Sequence, residues 1–414
     1  MTGTKRKNKL LLILILGLLS AIGPFSIDMY LPGFPDIAAD LDTSIAHVSL
    51  SLSSFFIGIS AGQLLYGPLL DRFGREGPLY TGLSLYLVTS FACTFANSAN
   101  ALITFRLLQA LGACGGMVAS RAIVRDLFPV HEIAKVFSML MLVIGVSPII
   151  APTVGGYITA AFGWQYVFVV LTVMAAIILA GVYFILPESK KADPDFSLKP
   201  RPIVNGFLSV LKQPQFFTYA FTGAVATSGL YAYISGSPYV FMELFKVSEK
   251  EYGWLFALIA AGLIGSSQVN SVLLSRWKSE QIIKIALLIQ SVTGIFLFAG
   301  TLFGWLELLS TTFLIFIFLC CQGFTFPNSS ALSLAPFSRN AGSASALLGA
   351  IQMGIGTLSS AMVSILSNNT ALPMTGVMAC CAIASFSILM IGRRIIYYTA
   401  SVKGKESAEI INTL

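Results

Sequence analysis

The chain repeatedly runs for about twenty residues with almost no charge, the length an α-helix needs to cross the hydrocarbon of a bilayer. Candidate runs fall at 10–30, 48–70, 79–97, 101–120, 136–162, 164–186, 216–242, 252–274, 282–303, 309–328, 341–367 and 372–396, twelve in all. Within them the apolar residues are continuous. Outer-membrane strands would instead alternate apolar and polar over about ten residues. Hydrophobic residues make up 56% of the chain and charged residues only 10%, where a soluble domain carries roughly 25% charged residues. So few polar groups could not cover a water-facing surface of this size. The expected class is an all-α membrane protein with twelve transmembrane helices.

Lys5, Arg6, Lys7 and Lys9 precede a leucine-rich run, as in a secretion signal. The run is too long for one, lacks a small-residue cleavage site and is followed by eleven more, so it reads as a retained first helix. With the amino terminus in the cytoplasm, all but three of the 25 lysines and arginines fall on the cytoplasmic side; the exceptions are Lys246, Lys250 and Arg106. That asymmetry sets orientation and places both termini in the cytoplasm. The net charge of +7 therefore reads as topology and not as nucleic-acid binding.

The longest polar stretch divides the chain into three parts: six spans in 1–186, a cytoplasmic linker at 187–213 with room for a short surface helix, and six spans with a short tail in 214–414. Gln109 and Gln322 each lie midway along the fourth span of their half, near Gly112 and Gly323. Equal halves joined by a basic linker favour a two-bundle transporter. The six cysteines, Cys93, Cys114, Cys320, Cys321, Cys380 and Cys381, all sit in apolar runs without a Cys-x-x-Cys pair and read as packing residues. His47 and His131 lie in or beside loops. There is no phosphate-binding glycine–lysine loop and no ligand cluster of the kind a membrane-embedded enzyme needs. No cofactor, metal or catalytic residue is expected.

Asp28 and Arg106 are the ionisable residues set inside apolar runs. An unpaired charge at the bilayer centre costs on the order of 2.5–3.5 kcal/mol by insertion scales, so such residues are paired, wetted by a cavity, or both. Both lie near the outer end of their spans, at similar depth, and are expected to pair across a central cavity. Arg106 is also only about one and a half turns inside its span, where it could snorkel outward. Gln109, one turn deeper on nearly the same face, argues for an inward role. Burial and a neighbouring arginine push a carboxylate's titration in opposite directions, which makes Asp28 a candidate proton carrier. A purely structural ion pair is the alternative. Tyr30, Gln109, Tyr231, Tyr233 and Gln322 are candidates for the cavity wall, although aromatic residues in apolar spans more often pack.

Three strings carry further information. After the second span stands Gly67-Pro-Leu-Leu-Asp71-Arg72-Phe-Gly74-Arg75-Glu76. Gly67 would admit a close helix and Gly74 a tight turn. The charged residues can form a surface network, with Asp71 suited to a neighbouring helix amino terminus. The fourth span reads Arg106-Leu-Leu-Gln109-Ala110, and the fifth Gly145-Val-Ser-Pro148-Ile-Ile-Ala-Pro152-Thr-Val-Gly155-Gly156. Two prolines bend that helix and its glycines admit close packing.

The first string resembles the cytoplasmic signature of the major facilitator superfamily. The second is similar to that family's arginine-x-x-glutamine-glycine motif, with Ala110 in place of the glycine. The third resembles the proline–glycine motif of its antiporter branches. Ser26-Ile-Asp28-Met-Tyr30-Leu-Pro32-Gly-Phe-Pro35-Asp36, with Tyr233-Ile-Ser-Gly-Ser237-Pro238-Tyr239, resembles the Bcr/CflA branch of drug:proton antiporters over nearly the whole chain. The resemblance implies the major facilitator fold in the bacterial cytoplasmic membrane. It also implies a monomer that exchanges protons for drugs or other amphipathic compounds, driven by the proton gradient alone. Gly67, Asp71, Arg72, Gly74 and Arg75 would form a cytoplasmic latch. Asp28 matches the acidic residue that carries protons or meets cationic substrates. The second acidic residue that other members place nearby is missing before Asp36. Export of an endogenous metabolite such as a siderophore, or proton symport, would fit the same fold.

Overall fold

The structure is a computed structural model that describes residues 3–128, 130–193, 200–337 and 341–412. The side chains of Lys5, Arg6, Lys7, Lys9, His131, Lys135, Lys199, Arg201, Arg339, Lys403 and Lys405 lie outside that description. The described residues form helices and connections. The first half comprises α1 (Gly3–Asp28), a 3-10 turn (Leu31–Gly33), α2 (Phe34–Asp40), α3 (Ile45–Phe73), α4 (Glu76–Thr94), α5 (Ala99–Leu127), α6 (Val130–Phe162) and α7 (Gln165–Ile185). After α8 (Pro200–Leu211) come α9 (Pro214–Pro238), a π-helical turn (Tyr239–Leu244), α10 (Glu249–Leu273), α11 (Ser279–Leu302), α12 (Leu308–Leu334), α13 (Ala341–Ile365) and α14 (Leu372–Asn412).

Local chemistry fixes where the long helices begin and end. Ser44 and Ser98 accept backbone N–H bonds at the starts of α3 and α5, and Ser248 with Glu251 makes a reciprocal capping box at the start of α10. α3 stops at Gly74, whose φ of +82° is open to glycine and costly for other residues.

Among the described residues, ten helices are long and apolar enough to cross a membrane. The expected runs at 79–97 and 216–242 are helical too, as α4 and as α9 with its π turn, but do not reach that apolarity. The reason is visible in α9: Thr218, Thr222, Thr227, Ser228, Ser235 and Ser237 are all buried, so a polar helix is enclosed by its neighbours. The last helix runs to Asn412, well past the expected end at 396, and α8 is the short helix foreseen in the linker.

In the first half α5 packs on α1, α3 and α4, while α6 lies on α1 and α7 on α4. In the second half α9 packs on α12, α13 and α14, with α11 on α12 and α14, and α10 on α12. Two helix pairs make the larger contacts between the halves, α3 with α13 and α6 with α10, and α3 also touches α9. They meet at the end of the molecule remote from the basic residues, called here the far end. Along α3 the contacts run from Ser49 against Ser364 to Gln63 against Gly349. Beyond this, toward the basic end, a Cβ built on Gly67 would meet nothing within 4 Å. Gly67 therefore makes no close helix approach in this conformation, contrary to the expectation, and Gly145 is equally open.

Candidate functional site

Arg106 is fully buried, which excludes the snorkelling alternative. Its Nη2 donates to the Ser26 carbonyl at 2.8 Å and its Nη1 to Gln109 Oε1 at 2.6 Å. The Ser26 carbonyl is one of the last four of α1, which have no partner within the helix, and a cation there also suits the helix dipole. Gln109 Nε2 donates to Ser90 Oγ at 2.7 Å, and Ser26 Oγ lies 2.7 Å from the Tyr86 hydroxyl. The guanidinium carbon sits 4.2 Å from the ring centroids of both Tyr30 and Phe55 and 5.9 Å from that of Phe168. A desolvated cation–π contact contributes about 2 kcal/mol, so ring faces take the place of a carboxylate. The network ties the end of α1 to α3, α4, α5 and α7.

The expected Asp28–Arg106 pair does not form. Asp28, the last residue of α1, is 4% exposed, and among the described residues its carboxylate makes no hydrogen bond or ion pair. Arg106 is already committed to the turn two residues earlier. Asp28 is instead within electrostatic reach of the phenols of Tyr231, Tyr233 and Tyr252, all on the second half.

The other candidates divide accordingly. Tyr30 is not a wall residue: it is fully buried, bonded to Ser51 Oγ at 2.9 Å and packed on Phe34 and Phe168. Gln109 is likewise core. Tyr231 lies where the halves meet, its ring centroid 4.6 Å from that of Phe56 and its hydroxyl directed at Met353 Sδ. Tyr233 stacks on Phe256, and its hydroxyl makes no well-formed hydrogen bond, with Ser237 as a near neighbour. Gln322 stands apart, bonded through Nε2 to Thr227 with its Oε1 unpaired.

The charged loop forms a compact cluster at the basic end. Arg75 Nε reaches Asp126 at 2.8 Å and its Nη1 reaches Asp71 at 3.2 Å, while Lys190 joins Asp71 at 3.0 Å. Burial works against the charge on Arg75, but the Asp126 bond, and then Asp71, outweigh it and hold its titration above the ordinary arginine range. Asp71 is not at a helix amino terminus. Glu188 fills that place, accepting the Arg75 N–H at 3.0 Å and the Glu76 N–H at 3.3 Å ahead of α4. Arg72 donates to the Asp193 carbonyl, and Gly74 lies against the backbone of Lys190 and Ala192.

In the proline–glycine string, Gly155 rests on the Met29 carbonyl, immediately after Asp28, and Gly156 on the Glu249 carbonyl of the other half. A Cβ at either glycine would collide with backbone. Pro148 and Pro152 lie inside α6, and the Pro152 carbonyl approaches Gly253 of α10. Sequence reasoning missed Ser26, Tyr86, Ser90, Phe55, Phe168, Asp126 and Glu188. Asp126 and Glu188 carried a signal as acidic residues just beyond apolar runs, and Ser26 as the first residue of the string around Asp28; the others look like ordinary packing residues.

The family model of the Major Facilitator Superfamily matches residues 16–361. A bicyclomycin resistance protein homolog of Haemophilus influenzae is 31% identical over 384 residues, spanning 92% of this chain and 96% of that one. The multidrug resistance protein MdtL of Escherichia coli is 30% identical over 374 residues, or 89% and 92% of the two chains. Among solved structures, a D-xylose–proton symporter superposes with TM-score 0.73 at 13% identity, over 92% of this chain and 97% of that one. A bacterial homolog of the human lysosomal transporter Spinster, in an inward-facing and unoccupied conformation, gives 0.68 at 17% identity over 95% and 96%. At these identities the structures establish the fold alone. With helices of this kind and bacterial relatives of this length, the protein is a multi-pass transporter of the bacterial cytoplasmic membrane and not an enzyme. The chain belongs to the Major Facilitator Superfamily, in its Bcr/CflA branch.

Proposed function

We propose that this transporter is a proton-coupled antiporter that exports drugs or other small amphipathic compounds by alternating access. In this reading α4 and α9 join the ten more apolar helices to make twelve spans, both termini are cytoplasmic, and the protein works as a monomer. Residues 1–186 and 214–414 are the rocking units, with 187–213 as their tether. The relatives named for bicyclomycin and multidrug resistance support the cargo class.

The observation that carries the proposal is Asp28. A carboxylate buried at the end of a spanning helix, with no counter-ion among the described residues, has no structural use for its charge. It lies near Tyr231 and Tyr233, across from the half that holds it. Ionised, it attracts a cationic or hydrogen-bond-donating cargo from the cleft. Protonated, it loses that attraction, and the empty carrier can return without moving a bare charge through a low-dielectric gap. Arg106 takes no direct part in this exchange; it fixes the turn from which Asp28 projects.

The test is export from energised vesicles, read as loss of a fluorescent amphipathic cation under an imposed proton gradient. Wild type is expected to export and to be stopped by a protonophore. Asp28→Asn is expected to bind cargo weakly and to export no faster than vesicles without the protein. Gradient-driven export by Asp28→Asn at the wild-type rate would remove the proposal. Susceptibility profiling of an efflux-deficient host expressing the chain then defines the cargo range.

A further inference from the structure

Hydroxyls make a series of hydrogen bonds that join the two halves. Ser49 Oγ on α3 lies 2.5 Å from Ser235 Oγ on α9 and 2.8 Å from Ser364 Oγ on α13. One turn along α3, Ser53 Oγ is 2.9 Å from Ser360 Oγ. Two turns further, Ser60 Oγ donates to the Ala350 carbonyl at 3.0 Å. Between the other helix pair, Thr153 Oγ1 donates to the Gly253 carbonyl at 3.4 Å. Positions 49, 53 and 60 share one face of α3, and 350, 360 and 364 share the facing side of α13. Ser49, Ser53, Ser235, Ser360 and Ser364 are all buried. The ion pairs Arg75–Asp71, Arg75–Asp126, Lys190–Asp71 and Lys246–Glu243 stay within one half or its linker, and a cation set against the other half, Lys250, lies over the Tyr157 ring at 5.6 Å.

Such a seam suits repeated opening. A buried ion pair that is pulled apart leaves a stranded charge. A hydroxyl exchanges its partner for water at small net cost. Water is at hand: a cavity of about 430 Å³ at the far end is bordered by Thr43, Ser44, Tyr239, Glu243 and Asn369. A smaller pocket that shares Ile45, Ala46, Tyr239 and Ser367 with it leads to Ser49, Ser235 and Ser364. Ser49 is the hub, since it alone bonds to two helices of the other half.

We propose that these serines form the outer gate of the transport cycle, a charge-free zipper broken and remade at each turnover, with Ser49 as the positioning residue that sets how often it opens. This rests on the transport reading for the gate's direction, but not on proton coupling. Two measurements on purified, reconstituted full chain test it, both in a background with the exposed Cys380 replaced by serine, and neither needs cargo or a gradient to be read. In Ser53→Cys/Ser360→Cys, mild oxidation should cross-link the pair and protect a cysteine placed at Val363, buried beside Ser49 and Ser364, from a maleimide that wild-type opening admits. Reduction should restore labelling. With the Val363 probe alone, Ser49→Ala should speed labelling about tenfold, a shift of ~1.4 kcal/mol toward the open gate, and Ser364→Ala, which removes one bond of two, by less. The proposal is overturned if the cysteine pair forms its cross-link and the probe still labels at the uncross-linked rate. It is also overturned if Ser49→Ala lowers the melting temperature and leaves the labelling rate unchanged. Survival of proton-driven export at the wild-type rate in Asp28→Asn, with the labelling pattern intact, would strike the coupling mechanism and leave the gate standing.

Discussion

Arg106 and Asp28 are both buried charges near the same turn of α1, and their surroundings are opposite. Arg106 has a carbonyl, an amide oxygen and the faces of aromatic rings from three neighbouring elements. Asp28 has no bonded partner among the described residues and sits near phenols of the other half. The arginine's charge is used within one half, where it holds helices together whatever the halves do. The carboxylate's charge is left unspent where the halves meet. A buried ionisable group thus marks the working part of this transporter only where its partners are missing.

The first way to break this contrast is Arg106→Ala. It strands the Ser26 carbonyl and frees Gln109, and hydrogen bonds to a charged group are worth about 1.5–3 kcal/mol each. Loss of several kcal/mol is expected, seen as a large fall in folded yield and melting temperature in detergent. An unchanged melting temperature would show that the network does not hold α1. Gly155→Ala should come next. Its Cβ would fall on the Met29 carbonyl, and overpacking of this kind costs about 1–3 kcal/mol, read in the same melt.

Asp28→Asn sharpens the contrast from the other side. Replacing an unpartnered buried charge by a neutral isostere should leave the melting temperature unchanged or raise it, by up to about 1 kcal/mol in stability. A clear fall would mean that the carboxylate has a structural partner after all. The smallest effect is expected from Glu188→Gln, which keeps one of the two acceptor oxygens ahead of α4 but removes the charge. A helix-terminal charge contributes about 0.3–1 kcal/mol, and that loss should shrink as salt is added.

Much of this was legible in the chain itself. The apolar runs marked helices at every expected place, because continuous hydrophobicity over the length of a bilayer has few other uses. The shared face of Arg106 and Gln109 followed from a three-residue spacing on a helix, and the short linker helix and the tight turn at Gly74 from local chemistry. The apolarity of α4 and α9 was overestimated because polar side chains enclosed by neighbouring helices look the same in sequence as wall residues. The serine seam was invisible for a similar reason. Ser49, Ser53, Ser360 and Ser364 are unremarkable one by one, and only a register between two helices some three hundred residues apart makes them a set.

The sequence alone determined the solvent of this protein, its helices and the presence of two charges that lipid would not accept, since those depend on transfer energies and on spacing along one chain. The tertiary structure decided which charge is satisfied. Asp28 and Arg106 lie at similar depth on antiparallel helices, and nothing local states that the guanidinium turns to the Ser26 carbonyl and the rings of Tyr30 and Phe55 and leaves the carboxylate bare. That choice depends on side-chain directions set by how α1, α3, α5 and α7 pack, a property of the assembled half and not of any one segment.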